Sequence, residues 1–193
     1  MKKILWCDVE TTGTDEKKHG LIQISALIDI DGHIIDEFDE YVRPFKNDFI
    51  TKTALEKNNT TLDELRYNIE KYQEACEVHN KFIDWMGKHV NRFDKKDKFI
   101  IAGKKTEFDI RFLRAWWDKC GDNYYGAWFH YPHLDLEQRL AEVMLHEDEL
   151  MLDRYRLEDI CRFIGVELND AHNSKFDILA TYKCWYKLEG RDV

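Results

Sequence analysis

The stretch Asp8-Val9-Glu10-Thr11-Thr12-Gly13 follows the apolar run Ile4-Leu5-Trp6-Cys7 and ends it in two carboxylates two residues apart. The run reads as a buried strand, and side chains two apart on a strand point to one face. Asp8 and Glu10 therefore project together. Two carboxylates held side by side at the edge of a sheet repel and resist desolvation, so the arrangement is stable when something positive, usually a divalent metal, sits between them. An isolated Asp-x-Glu is more often a solvated pair at a strand mouth, and the rest of the chain has to decide between the two readings. Thr11-Thr12-Gly13 reads as the turn that ends the strand.

Outward from this stretch, Leu21 to Ile30 alternates into a second strand. Asp31-Gly32 is a tight-turn signal, and Ile34, Ile35, Phe38, Tyr41 and Val42 predict a third, antiparallel strand ending near Pro44. Helices follow. Thr61-Leu62-Asp63-Glu64 has the form of a capping box, with Leu62, Leu65 and Ile69 at helical spacing. A longer amphipathic helix is predicted from about Tyr72 to Val90, with Cys76, His79, Phe82, Ile83, Met86 and Val90 on one face. Phe99 to Ala102 reads as a central strand closed by Gly103, and Phe108, Phe112 and Trp116 mark the inner face of the next helix. Residues 120–130 read as irregular, and His133 to Leu136 as a brief strand leading into a helix through about His146. Short and long final helices are predicted over Arg156–Gly165 and Ser174–Leu188, the last with Phe176, Leu179, Ala180 and Cys184 as its packed face. The sum is one α/β domain over residues 1–193: a mixed sheet, an antiparallel three-stranded meander followed by parallel strands, flanked by helices.

Composition narrows the function. With 193 residues, 44% of them hydrophobic, the chain has material for a substantial core, and it contains no linker-like tract or repeat. No apolar run approaches the roughly 18 residues of a membrane span, and Met1-Lys2-Lys3 does not open a signal peptide, so a cytoplasmic protein is expected. The five cysteines, odd in number and widely spaced, are expected to be buried thiols rather than disulfides or zinc ligands. A net charge of −9 argues against a broad basic face that grips nucleic acid. It leaves room for a nuclease whose bound metals carry the positive charge.

Two further sites bear on the opening pair. Asp109 follows the Phe99–Ala102 strand at the start of a helix, where open α/β sheets place their ligands, although Asp is also favoured in any first helical turn. His172 and Asp177 lie five apart, about 140° around a continuous helix, and converge only if His172 precedes the helix.

These residues resemble the DEDDh branch of the DnaQ-like 3′→5′ exonucleases, which have the ribonuclease H-like fold. Asp8, Glu10, Thr11, Thr12 and Gly13 match the first family motif, Phe108-Asp109 with Phe112-Leu113 the second, and His172 with Asp177 the third. Supporting segments run in order through nearly the whole chain, among them Ile22-Gln23-Ile24-Ser25 and Leu134-Asp135-Leu136. The resemblance implies that Asp8, Glu10, Asp109 and Asp177 hold two divalent ions, Mg²⁺ or Mn²⁺, about 4 Å apart, with His172 as general base. It also implies that Glu10 and the backbone at Thr11 and Thr12 place a terminal 3′ hydroxyl, on single-stranded DNA or RNA or on frayed ends, releasing 5′ mononucleotides. Gln23 stands where some members carry a Glu for that hydroxyl. Lys104 and Lys105 replace the family's usual His-Asn before Asp109, either contacting substrate phosphates or forming a solvated loop, and Asn58-Asn59 replaces a usual His-Gly. Trp116 is read as core, and the loop aromatics Tyr124, Tyr125 and Trp128 as either core or a base-stacking platform. The rival functions are a catalytically silent binding adaptor of the same fold and a proofreading subunit that works with a polymerase, or another replication or repair protein, in trans.

Overall fold

The computed structural model describes residues 2–145, 152–168 and 173–191. Among them are six strands, β1 (Lys3–Thr11), β2 (Leu21–Ile30), β3 (His33–Arg43), β4 (Gln73–Glu74), β5 (Ile100–Gly103) and β6 (Leu134–Asp135), in the spatial order β4-β3-β2-β1-β5-β6. β1, β2 and β3 form the expected antiparallel meander, and β5 and β6 extend it in parallel from β1. β4 adds a parallel pairing at the far edge of β3.

The apolar run opens β1 because both faces of that strand are covered. Leu5, Cys7 and Val9 face the larger core, packed under helices α3 (Ala75–Met86) and α4 (Thr106–Lys119). Ile4 and Trp6 face a second core under α8 (Ser174–Leu188). The smaller helices are α1 (Lys52–Lys57), α2 (Leu62–Tyr67), α5 (Tyr125–Trp128), α6 (Leu136–Met144) and α7 (Leu157–Ile164). α2 carries the expected capping box between Thr61 and Glu64, and α7 stops at Gly165, which takes a left-handed φ of 78°.

Several expectations need correction. The helix predicted from Tyr72 begins only at Ala75, because Tyr72 belongs to a separate small core with Ile22 and Leu65 and exchanges a 2.8 Å hydrogen bond with Thr60. Its apolar character reflects burial without helix. Ile69 lies beyond the end of α2 and is exposed. Residues 120–130 contain the one-turn α5, and Phe129 bridges to Phe99 beside β5. α8 has the predicted bounds but a wider buried surface: Ile178, Tyr182 and Tyr186 face β1, whereas Ala180 and Cys184 face α6 and α7, and Phe176 is partly exposed. His146, the predicted end of α6, lies outside the described residues. Cys76 and Cys120 form a disulfide between α3 and α4 with Cα atoms 5.4 Å apart, a pairing 44 residues apart that only the packing of those helices creates. Cys7, Cys161 and Cys184 are the buried thiols expected. No helix among the described residues is long and apolar enough to cross a membrane.

Asp29, near the end of β2, is fully buried, although its sequence setting marks it only as a strand residue beside a turn. Its Oδ1 accepts from the Gly32 N–H at 2.7 Å, and its Oδ2 accepts from Trp6 Nε1 at 3.1 Å and from the Tyr186 hydroxyl at 2.5 Å. One carboxylate thus joins hairpin, central strand and α8. Asp29→Ala leaves three buried donors without an acceptor, and is expected to cost about 3–5 kcal/mol. Urea unfolding checks this; a loss under about 1 kcal/mol would contradict the network's role.

Candidate active site

Strand parity decides which side chains meet. Asp8 and Glu10 continue the face of Ile4 and Trp6, so they emerge on the α8 side, opposite Ser25 and Gln23 of β2. Just after Glu10 the register shifts, Thr11 pairing with Leu21, so that Ile22 is the extra residue of a bulge. Bulges break alternation and re-aim the chain at the end of a strand. Gly13 completes the turn, because a Cβ there would fall 2.3 Å from the His19 ring.

Asp177 comes from the first turn of α8, whose N-cap Asn173 accepts from the Lys175 N–H at 3.1 Å. One oxygen each from Asp8, Glu10 and Asp177 lie within 4.8 Å of one another. Asp109 arrives from the other side of the sheet, in the first turn of α4, and its Oδ1 accepts the backbone N–H of Val9 at 3.1 Å. β5 and β1 approach so closely here that a Cβ on Gly103 would lie 2.8 Å from the Cys7 carbonyl and 3.8 Å from Asp109 Oδ2. All four carboxylates line one open cavity of about 640 Å³.

The electrostatics are those of a site short of positive charge. Burial, then Asp109, Glu10 and Asp177, holds the Asp8 carboxyl well above the usual carboxylate range. Burial likewise raises Asp109, against the lowering effect of the Val9 N–H. Glu10 is pushed up to about 7 by burial, with Lys57 opposing and Asp177 adding to the shift. An all-oxygen donor set, crowded and desolvated, fits hard divalent cations.

The structure is uneven toward the remaining predicted residues. Lys105 lines the cavity with Lys104, Lys57 and Arg156. Lys105 is exposed with a left-handed φ of 57°, and both it and Lys104 reach Glu137, at 3.8 and 2.9 Å. Gln23 is buried and donates to Asp39 at 2.8 Å and Asn173 at 3.5 Å, which commits its amide to the protein. Thr12 is a structural hub: its N–H donates to the Gly20 carbonyl, its hydroxyl to the Phe49 carbonyl, and its own carbonyl accepts from Thr51. The Thr11 hydroxyl donates to the Gly13 carbonyl at 2.7 Å. His172 lies outside the described residues. Lys57 and Arg156 are additions that sequence reasoning misses, since no periodic or motif signal marks either.

With this geometry in view, the family match is decisive: residues 5–185 match the RNase_T exonuclease family. The chain belongs to that exonuclease family, with the DnaQ-like, ribonuclease H-like fold. Its relatives include the PolC-type DNA polymerase III of Bacillus cereus, 27% identical over 174 residues that cover 90% of this chain and 10% of the polymerase. The Bacillus subtilis PolC-type enzyme is 25% identical over 182 residues, with the same two coverages. Among solved structures, exonuclease I superposes with a TM-score of 0.80 at 21% identity, over 99% of this chain and 41% of that one. Exonuclease I of E. coli in complex with a dA16 oligonucleotide gives a TM-score of 0.78 at 20% identity, over 99% and 41%. The chain thus spans about a tenth of the polymerases and about two fifths of the exonuclease I chains it matches.

A carboxyl whose folded pKa exceeds its unfolded value makes the folded state bind more protons, so stability falls as pH rises between the two values. For Glu10 that window runs from 4.5 to about 7. In EDTA, the melting temperature of the exonuclease domain is expected to fall across this window, less steeply in Glu10→Gln. Mg²⁺ or Mn²⁺ at a hundredfold excess over Kd should restore roughly 2.7 kcal/mol at pH 7.5. An unchanged slope in Glu10→Gln would contradict the assigned cause.

Proposed function

We propose that this exonuclease domain is a metal-dependent 3′→5′ exonuclease of the DEDDh type, acting on single-stranded nucleic acid or frayed ends. The observation that carries the reading is the convergence of Asp8, Glu10 and Asp177 oxygens within 4.8 Å, with Asp109 on the same cavity wall. When bound there, two divalent ions, Mg²⁺ or Mn²⁺, would supply an activated water and charge stabilisation for the leaving 3′ oxygen. The chain's own residues do the rest. Asp8, Glu10, Asp109 and Asp177 hold the ions, and His172 accepts the proton of the attacking water, a role suited to an imidazole that titrates near neutral pH. Lys104, Lys105, Lys57 and Arg156 place cations around the mouth, where phosphates of the terminal nucleotides would lie. Glu10, with the backbone at Thr11, receives the terminal 3′ hydroxyl in this reading. Gln23 and Thr12 act behind them, as supports whose polar groups hold Asn173, Gly20 and Thr51 in place.

A second reading is favoured by the polymerase relatives: the domain proofreads beside a polymerase. Both readings require the same chemistry, whereas an adaptor that only binds nucleic acid has no use for four converging carboxylates.

A 5′-labelled single-stranded oligonucleotide is expected to shorten stepwise in Mg²⁺ or Mn²⁺ and to remain intact in EDTA. Asp8→Asn should reduce the rate more than about 100-fold, the order of losing a transition-state charge stabiliser. His172→Ala should reduce it about 10²- to 10⁴-fold while leaving metal binding by calorimetry intact. Metal-dependent shortening retained in Asp8→Asn would rule out the proposed site.

A further inference from the structure

The aromatic residues near α5 fall into two groups. Tyr125, Trp128, Phe129 and Trp117 are buried, but Phe93, Tyr124 and Tyr131 are 84%, 64% and 95% exposed. Phe93 and Tyr124 flank one side chain: the Arg92 guanidinium lies 5.0 Å from the Phe93 ring centre and 5.8 Å from those of Tyr124 and Trp128. The segment 87–98 that carries Arg92 and Phe93 holds five cations, Lys88, Arg92, Lys95, Lys96 and Lys98, against Asp94 and Asp97. Asp97 is already paired with Lys3 at 2.5 Å, whereas Lys88, Lys95 and Lys96 enter no ion pair among the described residues. On a chain of net charge −9 this is a local reversal of sign.

Its position relative to the carboxylates is fixed by the sheet. Lys3 also donates to the His89 carbonyl at 2.6 Å, which ties the segment to the start of β1. The seven steps from Lys3 to Glu10 place it roughly 23 Å from the site. The β6 edge of the sheet runs between the two. Phe129 pairs in parallel with Phe99 at the aromatic end, and Leu134 and Asp135 pair with Ala102 and Gly103 at the site end. The edge takes five steps, from Phe129 to Leu134, where the β5 side takes three, from Phe99 to Ala102. The excess turns Tyr131 outward, midway along.

Resting on the exonuclease reading above, we propose that the single strand 5′ of the cleaved nucleotide runs along this edge, over Tyr131, to an exosite formed by Arg92, Phe93 and Tyr124. Exposed ring faces accept stacked bases of any identity, and the lysines around them accept phosphates. Rings and cations together fit a polyanion with π faces better than an apolar protein surface, which would leave the lysines unused.

The test separates this proposal from the catalytic reading. In EDTA, where no cleavage occurs, fluorescence anisotropy measures binding of single-stranded DNA of about 4 and about 16 nucleotides, lengths bracketing a stacking track. Phe93→Ser combined with Tyr124→Ser, both on the surface, is expected to weaken the longer oligomer about tenfold or more and leave the shorter one unchanged. Lys95→Glu with Lys96→Glu should lower the slope of log affinity against log salt by about 0.7 for each phosphate that these lysines neutralise in the wild type. Equal affinity of wild type and Phe93/Tyr124 variant for the longer oligomer, or equal losses for both lengths, overturns the exosite. Mg²⁺-dependent shortening of the 4-mer reports on the catalytic reading alone.

Discussion

β1 is buried on both faces along its length and ends in carboxylates, and the architecture around it answers that conflict. An apolar strand needs cover above and below, which α3 and α4 give to Leu5, Cys7 and Val9, and α8 gives to Ile4 and Trp6. The same cover desolvates whatever polar group the strand carries next. Asp8 and Glu10 fall where the helical layers give way to a cavity, so their charges are raised in energy but not walled in. Asp177 and Asp109, delivered from the layers on opposite sides, increase the repulsion. Ordinary stability would select against such a grouping, and a site that binds cations explains its assembly.

The precision of the grouping comes from backbone contacts more than from the carboxylates themselves. The Val9 N–H holds Asp109, and Gly103 lets β5 approach the Cys7 carbonyl closely enough for α4 to begin beside β1. Thr106 then anchors the turn, its N–H donating to Asp135 at 2.8 Å and its hydroxyl to the Leu134 carbonyl at 2.6 Å. On the other side, the Ser174 and Ser25 hydroxyls lie 2.6 Å apart and fix the start of α8 against β2. Such supports hold ligands in position before any metal arrives, which limits the ordering cost of binding.

Much of this is legible from local pattern. The period of two places Asp8 and Glu10 on one face, the Asp31-Gly32 turn defines the meander, and the spacing in Ser174–Leu188 marks the last helix. What is not legible depends on contacts across the fold. Asp29 looks like an ordinary residue beside a turn until Trp6 and Tyr186 are seen to donate to it, and Cys76 meets Cys120 only when two helices pack. Tyr72 carries helical spacing by coincidence. Lys57 and Arg156 reach the cavity from elements far apart in sequence, and no periodicity announces a cation that faces an acidic wall.

The charge balance follows from the same geometry. A protein that contacts phosphates only through side chains needs a basic surface, and a net charge of −9 would oppose it. Here the excess negative charge is partly internal, in four carboxylates around one cavity, where bound cations would neutralise it. Long-range repulsion of a polyanion is set by the charge that remains outside, after screening over about 8–10 Å at ordinary ionic strength. The cations that line the cavity, Lys57, Lys104, Lys105 and Arg156, lie within that distance of the carboxylates. Overall acidity and a nuclease site are compatible because charges farther from the strand than a screening length are largely damped, and only the groups within that distance act on it.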